Sequence, residues 1–340
     1  MRITIKDIAK EFDIHHSTVS RALRDDPRIN PETKNKIRQY AEKHGYRVNM
    51  NAANFRANTS NVVALIIPNN THRFFSNIVY YLTNLAYDNN IVISIFQTNE
   101  SYEQECRIVE KIIQQNMAGV IASISNKTET SDHFSELLDM EIPLVFFDRI
   151  LKDLKVSTVV NNNREALFKL TCSLIESGRK RIAHLTGPEK ISVFNERIKG
   201  YYDAVNLYDL DYKKQIIFDV DFSMEGGQKI IKELFGQDNA PDAIISNSSF
   251  LTIGIVRQLK DEHIEIPTDL ALAGFGDHFF NEMLHPGIIS VEQPEEEMAN
   301  EVFKLLLDQL DRSGDSGKAS IQNIMLESKI IMNQRLKKIC

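Results

Sequence analysis

The stretch from Thr4 to Leu23 constrains the fold more than any other, because it holds two amphipathic segments, each too short to be a stable helix alone, joined by a tight connection. Thr4 stands where its side-chain oxygen can accept from the free amides of a first helix, and Asp7 occupies the third helical position that completes a capping box. Ile5, Ile8 and Ala9 recur at the spacing of a buried stripe. Phe12 and Ile14 flank the turn. A second helix starting near His15 or His16 buries Val19, Ala22 and Leu23 and leaves His16, Ser17, Ser20 and Arg21 on its other face. This is the pattern of a helix-turn-helix with a polar face offered to a wide groove, although a pair of helices in a small bundle carries the same stripe.

A third helix follows a polar loop. Asn30 suits its cap and Pro31 its first position, Ile37, Tyr40 and Ala41 line its apolar side, and Gly45 ends it. Lys34, Lys36, Arg38 and Lys43 supply charge that can approach phosphates, contacts that position a protein without reading sequence. The first 56 residues hold 12 Lys and Arg against 7 Asp and Glu, a net of +5, and the rest holds 28 against 40, a net of −12. A basic head on an acidic body confines polyanion contact to the head.

From Val62 onward a different rhythm takes over. Apolar runs at Val62–Ile67, Ile91–Phe96, Gly119–Ser123 and Leu144–Phe147 alternate with amphipathic segments, and the alternation restarts near Val159 and continues through Leu270–Phe275. Strand, helix, strand at this spacing makes open parallel sheets covered on both faces, with ligands beyond the carboxyl ends of the strands. The polar run Asp311–Lys318 is expected to be a surface loop. No run of 18 apolar residues and no export signal is evident, so the chain is expected in the cytoplasm, on the nucleoid, away from membranes. Cys106, Cys172 and Cys340 lack metal or redox spacing. The absence of a nucleophile elbow, a Walker motif, His-Glu-x-x-His or a glycine-rich dinucleotide turn argues against an enzyme, a cofactor or a metal site.

Ile5-Lys6-Asp7-Ile8-Ala9-Lys10, followed after eight residues by Val19-Ser20-Arg21-Ala22-Leu23, resembles the LacI/GalR family of bacterial transcription regulators. Ser177-Gly178-Arg179-Lys180-Arg181-Ile182, Gly187-Pro188, Glu196-Arg197-Ile198-Lys199-Gly200-Tyr201, Pro267 with Asp269, and Gly274-Phe275 with Pro286 and Val291 extend the resemblance over nearly the whole chain. It implies an N-terminal all-α helix-turn-helix head (1–46), a hinge segment (47–60), and a two-lobed α/β body of periplasmic-binding-protein type with parallel sheets. The first lobe would comprise 61–161 and 291–325, the second 162–290 and 326–340, with crossings near Asn161, Ser290-Val291 and Leu326.

The implied function is a repressor that binds near-palindromic operator DNA as a homodimer and responds to a small metabolite between its lobes. A periplasmic-type sugar-binding protein is the rival reading; it explains the lobes and not the head. The DNA-binding candidates are Thr4, His15, His16, Ser17, Thr18, Ser20, Arg21 and Asn30, with Asn49 and Phe55 in the hinge. Phe55 stands where relatives place a minor-groove wedge, usually leucine, or else packs on the body. Val48 and Ala53 depart from the usual proline and arginine of that hinge.

The effector-binding candidates are His72, Phe74, Ser123, Arg149, Arg197, Phe222, Ser249 and Asp277, with Thr98 and Ser125 beside Ser123. In relatives the arginine at Arg197 holds effector oxygens; Arg149 is either a ligand residue or an interlobe arginine. Relatives hold neutral sugars with an aspartate directly after Gly-Phe, where this chain has Gly276, and with carboxylates where it has Asn161 and Ser249. Their loss, beside two arginines, favours an acidic sugar such as an aldonate or uronate, with a neutral sugar or another small metabolite as alternatives.

Overall fold

Helix α1 (Ile5–Glu11) starts at the capping box expected for it: the Thr4 hydroxyl accepts from the Asp7 amide, and the Asp7 carboxylate accepts from the Thr4 amide at 2.8 Å. The computed structural model describes residues 3–23, 25–46, 60–211, 216–236, 240–276, 278–312 and 320–332. Asn49, Phe55 and Asp277 lie outside the described residues, as do Val48 and Ala53. The chain divides after Ser60 into two compact units.

In the first unit a turn through Asp13, whose φ is 50°, leads to α2 (His16–Leu23), and α3 (Pro31–Lys43) closes the core. Ile8, Ala9, Val19, Ala22, Ile37 and Ala41 are its buried centre, and Phe12 meets Tyr40 edge-on. So few apolar residues leave little stability to spare, and the caps at Thr4 and Asn30 matter accordingly.

The second unit holds two sheets. The first has the order β11-β5-β4-β3-β1-β2, built from β1 (Val62–Ile67), β2 (Val92–Gln97), β3 (Gly119–Ala122), β4 (Leu144–Phe147), β5 (Ser157–Asn161) and β11 (Asn323–Leu326), all parallel. Helices α4 (Arg73–Asp88), α5 (Tyr102–Gln114) and α6 (Asp132–Asp139) connect its strands. The second sheet has the order β12-β10-β9-β8-β6-β7, from β6 (Ile182–Thr186), β7 (Ile216–Asp219), β8 (Ala243–Ser246), β9 (Ala271–Phe275), β10 (Ile289–Glu292) and β12 (Lys329–Ile331). Its helices are α7 (Asn163–Glu176), α8 (Ser192–Leu207), α9 (Met224–Phe235), α10 (Ser249–Asp261) and α11 (His278–Leu284). Strand β12 alone runs antiparallel, against β10.

Two corrections follow from this topology. Ser290, Val291 and Glu292 pair with Ile331, Ile330 and Lys329, so the return to the first lobe falls after Glu292 and not at Ser290-Val291. Leu326 pairs with Asn161 in the first sheet, and the last crossing comes after it. Helix α12 (Glu295–Arg312) was not expected from the sequence; Met298, Ala299, Val302, Phe303, Leu305 and Leu306 bury its inner face in the core of the first lobe. The crossings are tied to one another, since the Asn162 amide donates to the Leu326 carbonyl and the Ser328 amide to Asn162 Oδ1, both at 2.9 Å.

Close helix packing gives Gly200 a physical reason. A Cβ there would sit 2.0 Å from the Arg164 carbonyl oxygen on α7, so glycine alone lets α8 approach that near. Gly200→Ala is therefore expected to lower stability by about 1–3 kcal/mol, as read by urea unfolding.

Candidate functional site

The outward face of α2 carries Arg21 fully exposed, with His16, Ser17, Thr18 and Ser20 half-buried beside it. His15 precedes the helix, its Nδ1 2.9 Å from the Ser17 hydroxyl, and its ring lies against that of His16. Thr4 and Asn30 are engaged as helix caps, Asn30 Oδ1 accepting from the Glu32 amide at 2.9 Å. Of the basic residues on α3, Lys34 and Arg38 converge on Asp25 and Lys36 pairs with Glu32. Such exposed pairs are weak and yield to a phosphate.

Between the two lobes of the body lies a cavity of ≈ 1070 Å³. The N-terminal turn of α4 brings His72, Phe74 and Phe75 to it, the end of β4 brings Asp148 and Arg149, α8 brings Phe194 and Arg197, and Phe222, Asn247, Ser249 and Phe275 come from the second lobe. His72 meets Phe250 of the opposite lobe edge-on at 5.8 Å, and Val193 and Phe194 pack into the core of the first lobe. Burial and the Arg149 charge both hold the His72 pKa below its ordinary value, which favours the neutral ring.

Arg197 forms the floor. Its Nε donates to Asn163 Oδ1 at 2.8 Å and its Nη1 to Asn247 Oδ1 at 3.1 Å, while the guanidinium carbon stands 3.5 Å over the Phe275 ring. Nη2 has no acceptor among the described residues, and no carboxylate forms an ion pair with it. Burial lowers its pKa, Asp148 opposes that shift and Arg149 adds to it, yet a guanidinium still remains charged. Asp148 itself, with φ of 55°, is pushed upward by burial and drawn back by Arg149 and Arg197. Asn247 passes the arrangement inward, its Nδ2 donating to His184 Nε2 at 3.0 Å.

Arg149 lines the cavity, but its Nη1 donates to both carboxylate oxygens of Glu100, at 2.8 and 3.1 Å. Ser123 does not line it: the residue is fully buried and its hydroxyl faces the Arg149 amide at 3.4 Å. Thr98 and Ser125 are buried as well, the Ser125 hydroxyl accepting from the Lys127 amide at 3.0 Å. Ser249 lies beside Gly276, where a Cβ would come within 2.5 Å of its hydroxyl oxygen, so the serine and the glycine suit each other. Asp148, Asn163, Asn247, Phe194 and Phe275 escaped the sequence reading as cavity residues. Asp148 and Asn247 each stand just past a strand, which is the one signal that pointed to them.

Residues 60–326 match the model for periplasmic binding proteins and the sugar binding domain of the LacI family, and residues 4–49 match that for bacterial regulatory proteins of the lacI family. The chain belongs to the LacI family. Catabolite control protein A of Priestia megaterium is 26% identical over 315 residues, covering 92% of this chain and 94% of that protein. The transcriptional repressor CytR of Escherichia coli K12 is 27% identical over 307 residues, covering 90% and 89%. The structure of the lac repressor dimer bound to operator and an anti-inducer superposes with a TM-score of 0.81 at 16% identity, over 97% of this chain and 98% of that one, and so shares the fold.

As a LacI-family member the protein is a bacterial transcription regulator with a helix-turn-helix DNA-binding region and a body of the family's sugar-binding type. No helix among the described residues is long and apolar enough to cross a membrane.

His184 makes the cleft floor sensitive to acid. Burial first, then the Arg197 charge, depress its pKa from 6.5 to about 3, against a small opposing effect of the Asn247 contact. The unfolded chain therefore takes up a proton below pH 6.5 that the folded chain refuses, and stability falls as pH drops from there toward 3. Between pH 6.5 and 5 this residue contributes a loss of about 2 kcal/mol. In urea unfolding at both pH values, His184→Gln is expected to remove that component of the pH slope.

Proposed function

We propose that this regulator binds its operator as a homodimer, each head laying α2 in a major groove, and that the effector is a sugar acid with one carboxylate, such as an aldonate or uronate. The observation that carries the ligand assignment is Arg197: a buried cation, unpaired with any carboxylate among the described residues, whose Nη2 is left for an incoming oxygen. A guanidinium fork grips a carboxylate through two parallel bonds. Phe75, Phe194, Phe222 and Phe275 supply apolar faces for a sugar ring, and Asn247 and Ser249 supply hydroxyl partners. Ser249 and Gly276 line the cavity at positions where relatives carry carboxylates, which leaves Asp148 as the carboxylate nearest Arg197.

On DNA, Arg21 is the one long, fully exposed donor on the α2 face and suits a guanine edge, with His16 and Ser17 reading bases near it. One head makes too few base contacts for a unique site, and a two-fold pair reading a near-palindrome makes up the difference. Effector and operator are then coupled, each changing the affinity for the other by the same factor.

Calorimetric titration of the full chain with galactonate, galacturonate and galactose tests the ligand assignment; tight binding to the neutral sugar alone overturns it. Arg197→Met is expected to abolish the response of operator binding to the effector while leaving operator affinity without it unchanged. With a duplex selected from random sequence, Arg21→Ala is expected to cost about 1–3 kcal/mol of preference over a scrambled duplex, and an unchanged preference would remove α2 from the groove.

A further inference from the structure

We propose that Glu100 sets the charge of the ligand that the cleft accepts, acting through Arg149. The proposal rests on the effector reading above and goes beyond it by naming a specificity-determining residue that does not itself line the cavity. Asn99 and Glu100 form the turn between β2 and α5, and both have left-handed backbones, with φ of 50° and 56°. Neither is glycine, and side-chain-bearing residues are held in that region when the surrounding structure demands it, often next to a functional site. Here the turn is anchored on both sides: the Asn99 amide donates to the Pro68 carbonyl at 2.7 Å, and the Ser101 hydroxyl caps α5 by accepting from the Gln104 amide.

The carboxylate so placed accepts from Arg149 Nη1 through both oxygens and from the Asn126 amide at 2.7 Å. Asn126 belongs to a segment that is itself fixed, because buried Glu105 accepts from the Ser125 amide, the Thr128 hydroxyl and His133 Nε2. Glu100 is thus held in place whether or not the cleft is filled.

The consequence is electrostatic. Arg149 and Arg197 both line the cavity, and Arg149 stands 5.6 Å from the Phe75 ring centre and 5.7 Å from that of Phe194. Unopposed, the two guanidinium groups would make a site for a doubly charged anion. Asp148, the carboxylate that shares this lining and feels both cations, offsets part of their charge, and Glu100 cancels that of Arg149. Arg149 keeps Nε and Nη2 without acceptors among the described residues, so it still donates hydrogen bonds to a hydroxyl or a carbonyl, but it no longer adds net charge. The mouth of the cavity pushes the same way, with Glu292, Glu296, Glu297 and Glu301 around it. The cleft therefore takes a ligand with at most one negative charge and rejects dianions such as sugar phosphates and aldarates.

Sulfate is a suitable probe because it carries the second charge and has no ring to fit. Calorimetry on the full chain is expected to show Glu100→Gln binding sulfate about tenfold or more tighter than the unaltered chain, about 1.4 kcal/mol. Glu100→Asp, which keeps the charge, is expected to behave like the unaltered chain, and Glu100→Gln combined with Arg149→Met to lose the gain. Should the amide variant fail to fold, Glu100→Ser removes the same charge and is read in the same way. Equal sulfate affinity with and without the Glu100 charge overturns the proposal, as does a gain that survives loss of Arg149. Failure of the effector reading shows elsewhere, in operator binding that no sugar or sugar acid alters, whatever sulfate does.

Discussion

Everything at the cleft depends on keeping a charged guanidinium out of water with no direct ion pair to a carboxylate among the described residues, Asp148 acting on it only from a distance. Such a charge is costly to bury, and here the cost is offset by two amide carbonyls, from Asn163 and Asn247, and by the face of Phe275. These partners come from different places: Asn163 from the first crossing between the lobes, Asn247 and Phe275 from strand ends of the second sheet. Arg197 therefore joins the hinge to the floor of the pocket. In the proposed reading, a ligand oxygen at Nη2 would complete the solvation that the protein leaves unfinished, and binding energy would enter the hinge there.

The hinge itself is made of three chain passages, the first and third of which are tied by one backbone bond and one bond to the Asn162 side chain. Asn162 connects to Leu326 and Ser328, so the first and third passages move together. Elsewhere among the described residues the lobes meet through Ser192 with the Ile150 amide, Lys152 with Glu196, His72 with Phe250, and the buried insertion of Val193 and Phe194 into the core of the first lobe. Any rotation of one lobe on the other must therefore work against that apolar contact.

The parts of this architecture that could be read from sequence are those whose signals are local. The capping box at Thr4, the stripes of the head helices and the continuous apolar runs of the parallel strands each depend on residues a few positions apart. Helix α12 carries a legible stripe from Met298 to Leu306, and Pro294 followed by three glutamates suits a helix start, although no serine, threonine or aspartate cap precedes it. Ser123 failed for a different reason. Its position past a strand is the same as that of Asp148 or Asn247, and only the three-dimensional path of the following turn decides which of these faces the cavity. The pairing of Arg149 with Glu100, 49 residues away, has no sequence signature at all. Ligand charge therefore could not be inferred by counting arginines, and the family resemblance carried the location of the pocket better than its chemistry.

The order in which the strands occupy the sheets has a consequence for how the molecule is made. Helix α12 and strand β11 complete the first lobe, yet they are encoded after all of the second but its last strand, β12. As the chain leaves the ribosome, the helical head can finish folding from contacts among its own residues, whereas the first lobe waits with an uncovered apolar face and an open sheet edge until about residue 326 has emerged. Synthesis thus releases a DNA-reading module well before the module that restrains it, and nascent chains stalled in that interval would carry the exposed surface that chaperones recognise.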